Sequence, residues 1–331
     1  MERTQLAALI LSSEPSLEAK APDGAAHLGA LAGKSLHQWV VDAALGASVR
    51  RLGVVADLAP ATKQELADRR DDALIEVIEP LADISETLAL AVDQLGPDFA
   101  LRDGAHVLLL QAECPQVTSA ELRRVIDHHV AMGASATVYS GIQDPQQTEP
   151  VVIRGRDGRI SAISDMPVGD GAIFCFRADL LVPAVRRSRS TFDFNAIGVE
   201  AARVLTDAGH RVQTLDHPGQ LGVIRSASSR TAIESSLRRR VIDQWIERGV
   251  IIPDPAQVAI DATAQLSTGV TVKPGTVIEG RTLVADGAQL GPNTHLIDAI
   301  IGSSAVVPHS VIDNAEVAAR SDVAPFTVLR S

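Results

Sequence analysis

The sequence predicts an α/β domain followed by a short parallel β-helix. Two observations carry this. Short apolar runs alternate with helix-period segments up to about residue 230. Beyond about residue 250 the apolar period becomes six. Alternating strands and helices specify a parallel or mostly parallel sheet covered on both faces. A six-residue period specifies stacked coils of a β-helix.

Leu6–Leu11 reads as a buried strand, and Ser35–Ala44 as the helix that follows it. Leu52–Ala56 is a second strand and Glu86–Leu95 a helix. His106–Leu110 is an unbroken apolar run, the signature of a strand buried on both faces. Thr118 and Glu121 have capping-box spacing and open a helix through Val130. Ala136–Tyr139 is another strand. Val151–Arg154 and Arg159–Ile163, joined through Asp157-Gly158, read as a hairpin. Leu237, Val241, Ile242, Trp245 and Ile246 share one helical face from Ser236 to Arg248, with Gly249 as the stop. The boundaries expected are residues 1–233 for the α/β domain, 234–250 for the connecting helix and 251–331 for the β-helix.

In the last segment Ile260, Leu266, Val272, Ile278, Val284 and Leu290 are spaced by six. The pattern slips and resumes at Ile301 and Val307, then slips again before Val317, Val323 and Leu329. Four residues after each aliphatic comes a small or β-branched residue expected at a corner: Ala264, Val270, Thr276, Thr282, Ala288, Thr294, Ala305, Val311, Ser321 and Thr327. Gly275, Gly280, Gly287 and Gly302 are expected in turns.

Composition narrows the function. The 331 residues include 30 Lys plus Arg and 41 Asp plus Glu, a net charge of −11. Such an acidic chain is a poor match to a phosphate backbone, so no nucleic-acid partner is expected. Aromatics are 3%, too few for base-stacking platforms. Two cysteines exclude a disulfide framework and a Cys-rich zinc site; Cys114 and Cys175 read as small buried apolar groups. No apolar run reaches membrane-spanning length, and the first run is too short for a signal peptide, so a cytoplasmic chain without a membrane partner is expected.

Several stretches together resemble one family. They are Leu31-Ala-Gly-Lys-Ser-Leu36, the central run Ala105–Leu110 ending in Glu113-Cys-Pro115, Leu221-Gly-Val223, Gly249–Pro255 leading into the hexads, and Ala324–Arg330. This order is similar to the bacterial bifunctional N-acetylglucosamine-1-phosphate uridyltransferase/glucosamine-1-phosphate acetyltransferase family. The resemblance implies a Rossmann-like, GT-A-like nucleotidyltransferase domain and a left-handed β-helix. It also implies a cytoplasmic, magnesium-dependent homotrimer that makes UDP-N-acetylglucosamine for the cell envelope, with a nucleotide or nucleotide sugar as its small-molecule partner.

The candidate site departs from that family. Its glycine-rich phosphate loop corresponds here to Leu11–Lys20. Glu14 and Ser16 stand at the glycine positions, Pro15 lacks an N–H, and Glu18 replaces the family's Arg. Ser12, Ser13 and Ser16 are the remaining nucleotide-binding candidates, and Lys20 the one candidate catalytic cation. Thr87 lies in the stretch resembling the uracil-reading segment, and Asp170 and Asn195 in stretches resembling the sugar-binding loops. Of the two magnesium ligands the resemblance implies, Glu113 keeps a carboxylate and Ile224 offers nothing to a hard cation. A magnesium site is therefore expected to be degenerate. His295 and His309 sit on earlier coils than the family's acetyl-transfer residues, which lie past the stretch resembling Ala324–Arg330; no acetyl transfer is expected. The leading expectation is a nucleotidyltransferase-like binding or scaffold protein with impaired catalysis. An active uridylyltransferase with a rebuilt site, or a hexapeptide-repeat acyltransferase, are the alternatives. Arg238-Arg-Arg240 is expected to face solvent or acidic groups across a trimer.

Overall fold

The computed structural model describes residues 5–12, 30–58, 60–69, 73–96, 99, 104–140, 152–154, 160–163, 173–188, 194–217 and 221–331. The chain divides into two compact units. One comprises residues 1–29 and 35–229; the other comprises residues 30–34 and 230–331.

In the first unit the strands are β1 (Gln5–Leu11), β2 (Arg51–Val55), β3 (Leu74–Ile78), β4 (Ala105–Gln111), β5 (Ala136–Ser140), β6 (Val152–Arg154), β7 (Ile160–Ile163), β8 (Ile173–Arg177) and β9 (Val212–Asp216). The helices are α1 (Leu36–Gly46), α2 (Pro60–Ala67), α3 (Ile84–Gln94), α4 (Ser119–Ala131), α5 (Ala178–Arg187) and α6 (Phe194–Asp207). Seven strands form one sheet in the order β3-β2-β1-β4-β8-β5-β9. Only β8 runs antiparallel to its neighbours. Strands β6 and β7 pair separately as the expected antiparallel hairpin; the turn between them lies outside the described residues.

Alternation along β1 and β4 decides which side each residue packs on. Ala7, Leu9, Val107 and Leu109 join a cluster with Leu88, Phe174, Phe176 and Leu181. Ala8, Ile10, Leu108 and Leu110 join the opposite cluster with Val40, Ala44, Leu122, Val125 and Tyr139. An apolar run with no polar break is therefore needed, because both faces of these strands are covered. The capping box opens α4 as expected: Thr118 Oγ accepts from the Glu121 N–H, and Glu121 Oε2 accepts from the Thr118 N–H at 2.7 Å. Ser35 caps α1 by accepting from the Gln38 N–H.

Helix α7 (Ala227–Glu247), which from Arg230 on belongs to the second unit, buries Ile233, Leu237, Val241, Ile242 and Trp245. It starts earlier than the expected Ser236, because Ser226 and Ser229 cap it through reciprocal hydrogen bonds. Gly249 ends it at φ +88°. On this helix Arg238 pairs with Glu234 at 2.9 Å, and Arg239, largely exposed to solvent as expected, pairs with Asp243 at 2.9 Å.

The coils that follow are stacks of short parallel strands, the left-handed β-helix of the expectation. One side stacks Ile260, Ile278, Leu296, Ile312 and Leu329; the second stacks Leu266, Val284, Ile301 and Val317; the third stacks Val272, Leu290 and Val307. The first slip resolves into a six-residue step to Leu296 and a five-residue step to Ile301, the second into two five-residue steps through Ile312; Leu296 and Ile312 are fully buried, so the column of aliphatics has no gap. At one slip the corner residue is Ser310, not Val311, which belongs to a strand. Corner hydroxyls close on nearby carbonyls: Thr276 donates to Lys273 O and Thr282 to Glu279 O, each at 2.7 Å. Gly302 is required by closeness rather than by turn conformation, since a Cβ there would stand 2.4 Å from the Ala319 nitrogen.

Candidate functional site

Strand order fixes where a ligand crevice opens. From β1 the chain moves outward through β2 and β3, then returns to the other side of β1 as β4. Connections diverge at the carboxyl ends of β1 and β4, the position where open α/β sheets bind ligands. Ser12 follows β1 and its N–H donates to Val55 O at 3.2 Å. Glu113 follows β4 in a turn held by the Ala112 N–H on Leu11 O (2.9 Å) and the Cys114 N–H on Gln111 O (3.1 Å).

These two side chains meet. Ser12 Oγ donates to Glu113 Oε1 at 2.8 Å, in a half-buried setting. The Ile224 N–H donates to Glu113 O at 3.0 Å. The two positions that the resemblance assigns to metal ligation are thus adjacent in space, although 111 residues apart in sequence. The Ser12 contact was not read from the sequence; the only signal available was that both residues end neighbouring parallel strands.

Magnesium takes hard oxygen ligands and uses one or two carboxylates with substrate phosphates. Glu113 fits. Ile224 is an aliphatic residue, 7% exposed, and brings no oxygen from its side chain. Among the described residues no three His, Cys, Asp or Glu converge as a metal cluster. The described residues do not fit the two-ligand arrangement.

Thr87 is fully buried near the start of α3. Its hydroxyl accepts from the Leu81 N–H at 2.9 Å and donates to Asp83 O at 2.8 Å, so it serves the turn before the helix. Asn195 lies in the first turn of α6. Lys20, Ser13, Ser16 and Asp170 lie outside the described residues, as do Glu14, Pro15 and Glu18. On the β-helix His295 Nε2 pairs with Glu279 Oε2 at 2.8 Å, and His309 lies against the Phe326 ring. Cys114 and Cys175 are buried and form no disulfide, and burial pushes the Cys175 thiol well above the ordinary range.

Sequence reasoning missed a buried histidine network in the same unit. His129 Nδ1 lies 2.8 Å from Thr137 Oγ, and His129 Nε2 lies 3.0 Å from His106 Nδ1. Burial holds His129 down to about 3, and it also lowers His106. His37, 1% exposed, is held down to about 4 by burial alone. Another missed pair, His217 Nε2 with Glu121 Oε1 at 2.7 Å, ties the end of β9 to the start of α4.

No family model matches the chain. Curated relatives do. The bifunctional protein GlmU of Bifidobacterium longum is 28% identical over 316 residues, which cover 92% of this chain and 68% of the relative. GlmU of Caldanaerobacter subterraneus is 25% identical, over 90% of this chain and 66% of the relative. GlmU of Clavibacter sepedonicus is 31% identical over 252 residues, 70% of this chain and 50% of the relative. No helix among the described residues is long and apolar enough to cross a membrane. With the two-part architecture and matches running through both units, the chain is similar to bifunctional GlmU proteins along most of its length.

Proposed function

We propose that this protein binds a nucleotide or nucleotide sugar at the carboxyl ends of β1 and β4 without efficient uridylyl transfer. The observation that carries this reading is Ile224 beside Glu113, where an oxygen ligand would be needed beside the carboxylate. Transfer of a nucleotidyl group builds negative charge on phosphate oxygens, and positioned cations stabilise it. An aliphatic at the second ligand position and Glu18 in the loop both work against that stabilisation. The Ser12–Glu113 hydrogen bond favours a second reading, an active enzyme with a rebuilt site, because it orients a carboxylate at the crevice. In either reading the β-helix assembles copies of the chain as a trimer. Leu283 (41% exposed) and Ile300 (48% exposed), stacked as neighbours on one face, support such self-association.

The test uses the full chain, with its mass measured by light scattering. UDP-N-acetylglucosamine is titrated by calorimetry, and pyrophosphate release from UTP and N-acetylglucosamine-1-phosphate is followed with Mg²⁺. Saturable binding with no sustained release is expected. Sustained release that Glu113→Ala abolishes would replace the first reading by the second. A monomeric mass would remove the trimer.

A further inference from the structure

The turn that carries Glu113 is held at both ends. At its start the Ala112 N–H donates to Leu11 O of β1, while Ser12 Oγ and the Ile224 N–H reach Glu113 itself. At its end the Val117 N–H donates to Cys114 O at 3.2 Å, and Thr118 caps α4. Ala112, Cys114 and Val117 are each 3% exposed or less. A short turn packed this closely passes a shift at Thr118 on to Glu113, because dense interiors do not absorb local displacement.

Glu121 holds the end of the turn. Its Oε2 accepts from both the Thr118 N–H and the Thr118 hydroxyl, each at 2.7 Å. A capping box needs no more than that oxygen. The other oxygen, Oε1, is taken by His217 Nε2 at 2.7 Å. A carboxylate only accepts, so this contact fixes the imidazole with a proton on Nε2. The helix N-terminus favours the negative charge that all three donors share. His217 lies just past the end of β9, 96 residues after Glu121. Its ring also meets the Tyr139 ring of β5 edge-on, with centroids 5.4 Å apart. The first turn of α4 is thus tied to two strands at the carboxyl edge of the sheet.

We propose that Glu121 and His217 are positioning residues for Glu113. The pair locks the first turn of α4 to the end of β9, and the turn Ala112–Val117, fixed between that lock and β1, holds the Glu113 carboxylate at the crevice. The effect on a ligand rests on the nucleotide-binding reading above; the lock itself does not.

The test compares the wild-type full-length chain with His217→Phe, which keeps a ring against Tyr139 but no donor, and with His217→Gln, which places an amide N–H near the Nε2 position. Glu113→Ala and the double variant His217→Phe/Glu113→Ala complete a cycle. Amide hydrogen exchange is followed in peptides covering 112–121, with peptides of β2 as the internal reference, and UDP-N-acetylglucosamine affinity is measured by calorimetry on the same samples. Exchange in 112–121 is expected to rise about tenfold in His217→Phe, the size of one hydrogen bond to a charged group, with β2 unchanged and most of the protection restored in His217→Gln. The Kd is expected to weaken severalfold in His217→Phe, and that weakening to vanish once Glu113 is already Ala. Unchanged exchange in His217→Phe overturns the lock. An unchanged Kd in that variant, or the same weakening in the Glu113→Ala background, overturns the positioning role. If the wild-type protein binds no UDP-N-acetylglucosamine, the proposed function fails and the exchange results alone decide the lock. Should His217→Phe fail to fold, Glu121→Asp, one methylene shorter, takes its place in the same cycle.

Discussion

The first unit buries two apolar layers on the two faces of one sheet, whereas the β-helix buries a single aliphatic column. Polar groups are treated differently as a result. Corner hydroxyls of the β-helix close on carbonyls two or three residues away, as Thr276, Thr282 and Thr327 do. The first unit instead buries imidazoles between distant elements, with His129 of α4 meeting Thr137 of β5 and His106 of β4. Local closure leaves those corner hydroxyls indifferent to pH. Long-range burial of titratable groups makes a sheet sensitive to it.

The largest expected effect breaks the column. Leu296 is fully buried and stacked between Ile278 and Ile312, so Leu296→Ala leaves a cavity and costs about 2–5 kcal/mol. Denaturant unfolding should show it, and hydrogen exchange should place the loss in residues 250–331. A loss spread equally over both units would break the comparison.

Acid sharpens it. His37 is held neutral in the folded state, down to about 4 against an ordinary 6.5, so the unfolded chain binds more protons between those values. Its contribution is complete above about pH 6.5 and is lost progressively as the pH falls towards 4, an effect of about 3 kcal/mol. His129, lowered to about 3 by burial with His106, His128 and Arg177 nearby, adds a loss of the same sign reaching lower pH. Thermal unfolding from pH 7.5 to 4.5 should show the first unit weakening well before the β-helix, and His37→Phe should flatten the slope. A slope untouched by that substitution would detach it from His37.

The smallest effect probes a single corner. Thr282 Oγ donates to Glu279 O and accepts from the buried Ala299 N–H at 3.2 Å. Thr282→Val leaves that N–H without its acceptor and should cost about 1–3 kcal/mol by denaturant melts at any pH between 5 and 8. A pH-dependent cost would contradict local closure.

Legibility in the sequence follows the same division. Each hexad states its own rule within six residues, so the column from Ile260 to Leu290 could be read directly. Ile312 was missed because five-residue steps lie on both sides of it, and Leu296, six after Leu290, because the next aliphatic of the column, Ile301, follows it by only five. In the first unit, β1, β4 and the Thr118–Glu121 box carry strong local signals. Helix α5 was hidden by Pro183 within it, and β8 by the surrounding loops. Of the site, Glu113 and Ile224 were placed through resemblance, and their adjacency is a property of the folded chain. Nothing local joins Ser12 to Glu113, or Gly33 to Asp261, since the partners are more than a hundred residues apart.

That residues 30–34 belong to the second unit has a consequence for synthesis. Asp261, against which Gly33 packs, leaves the ribosome more than two hundred residues after it. At translation rates of about 5–20 residues per second, that is a delay of roughly ten to forty-five seconds. The last strand of the sheet, ending at Asp216, emerges before it. A segment near the start of the chain is therefore among the last to reach its native place.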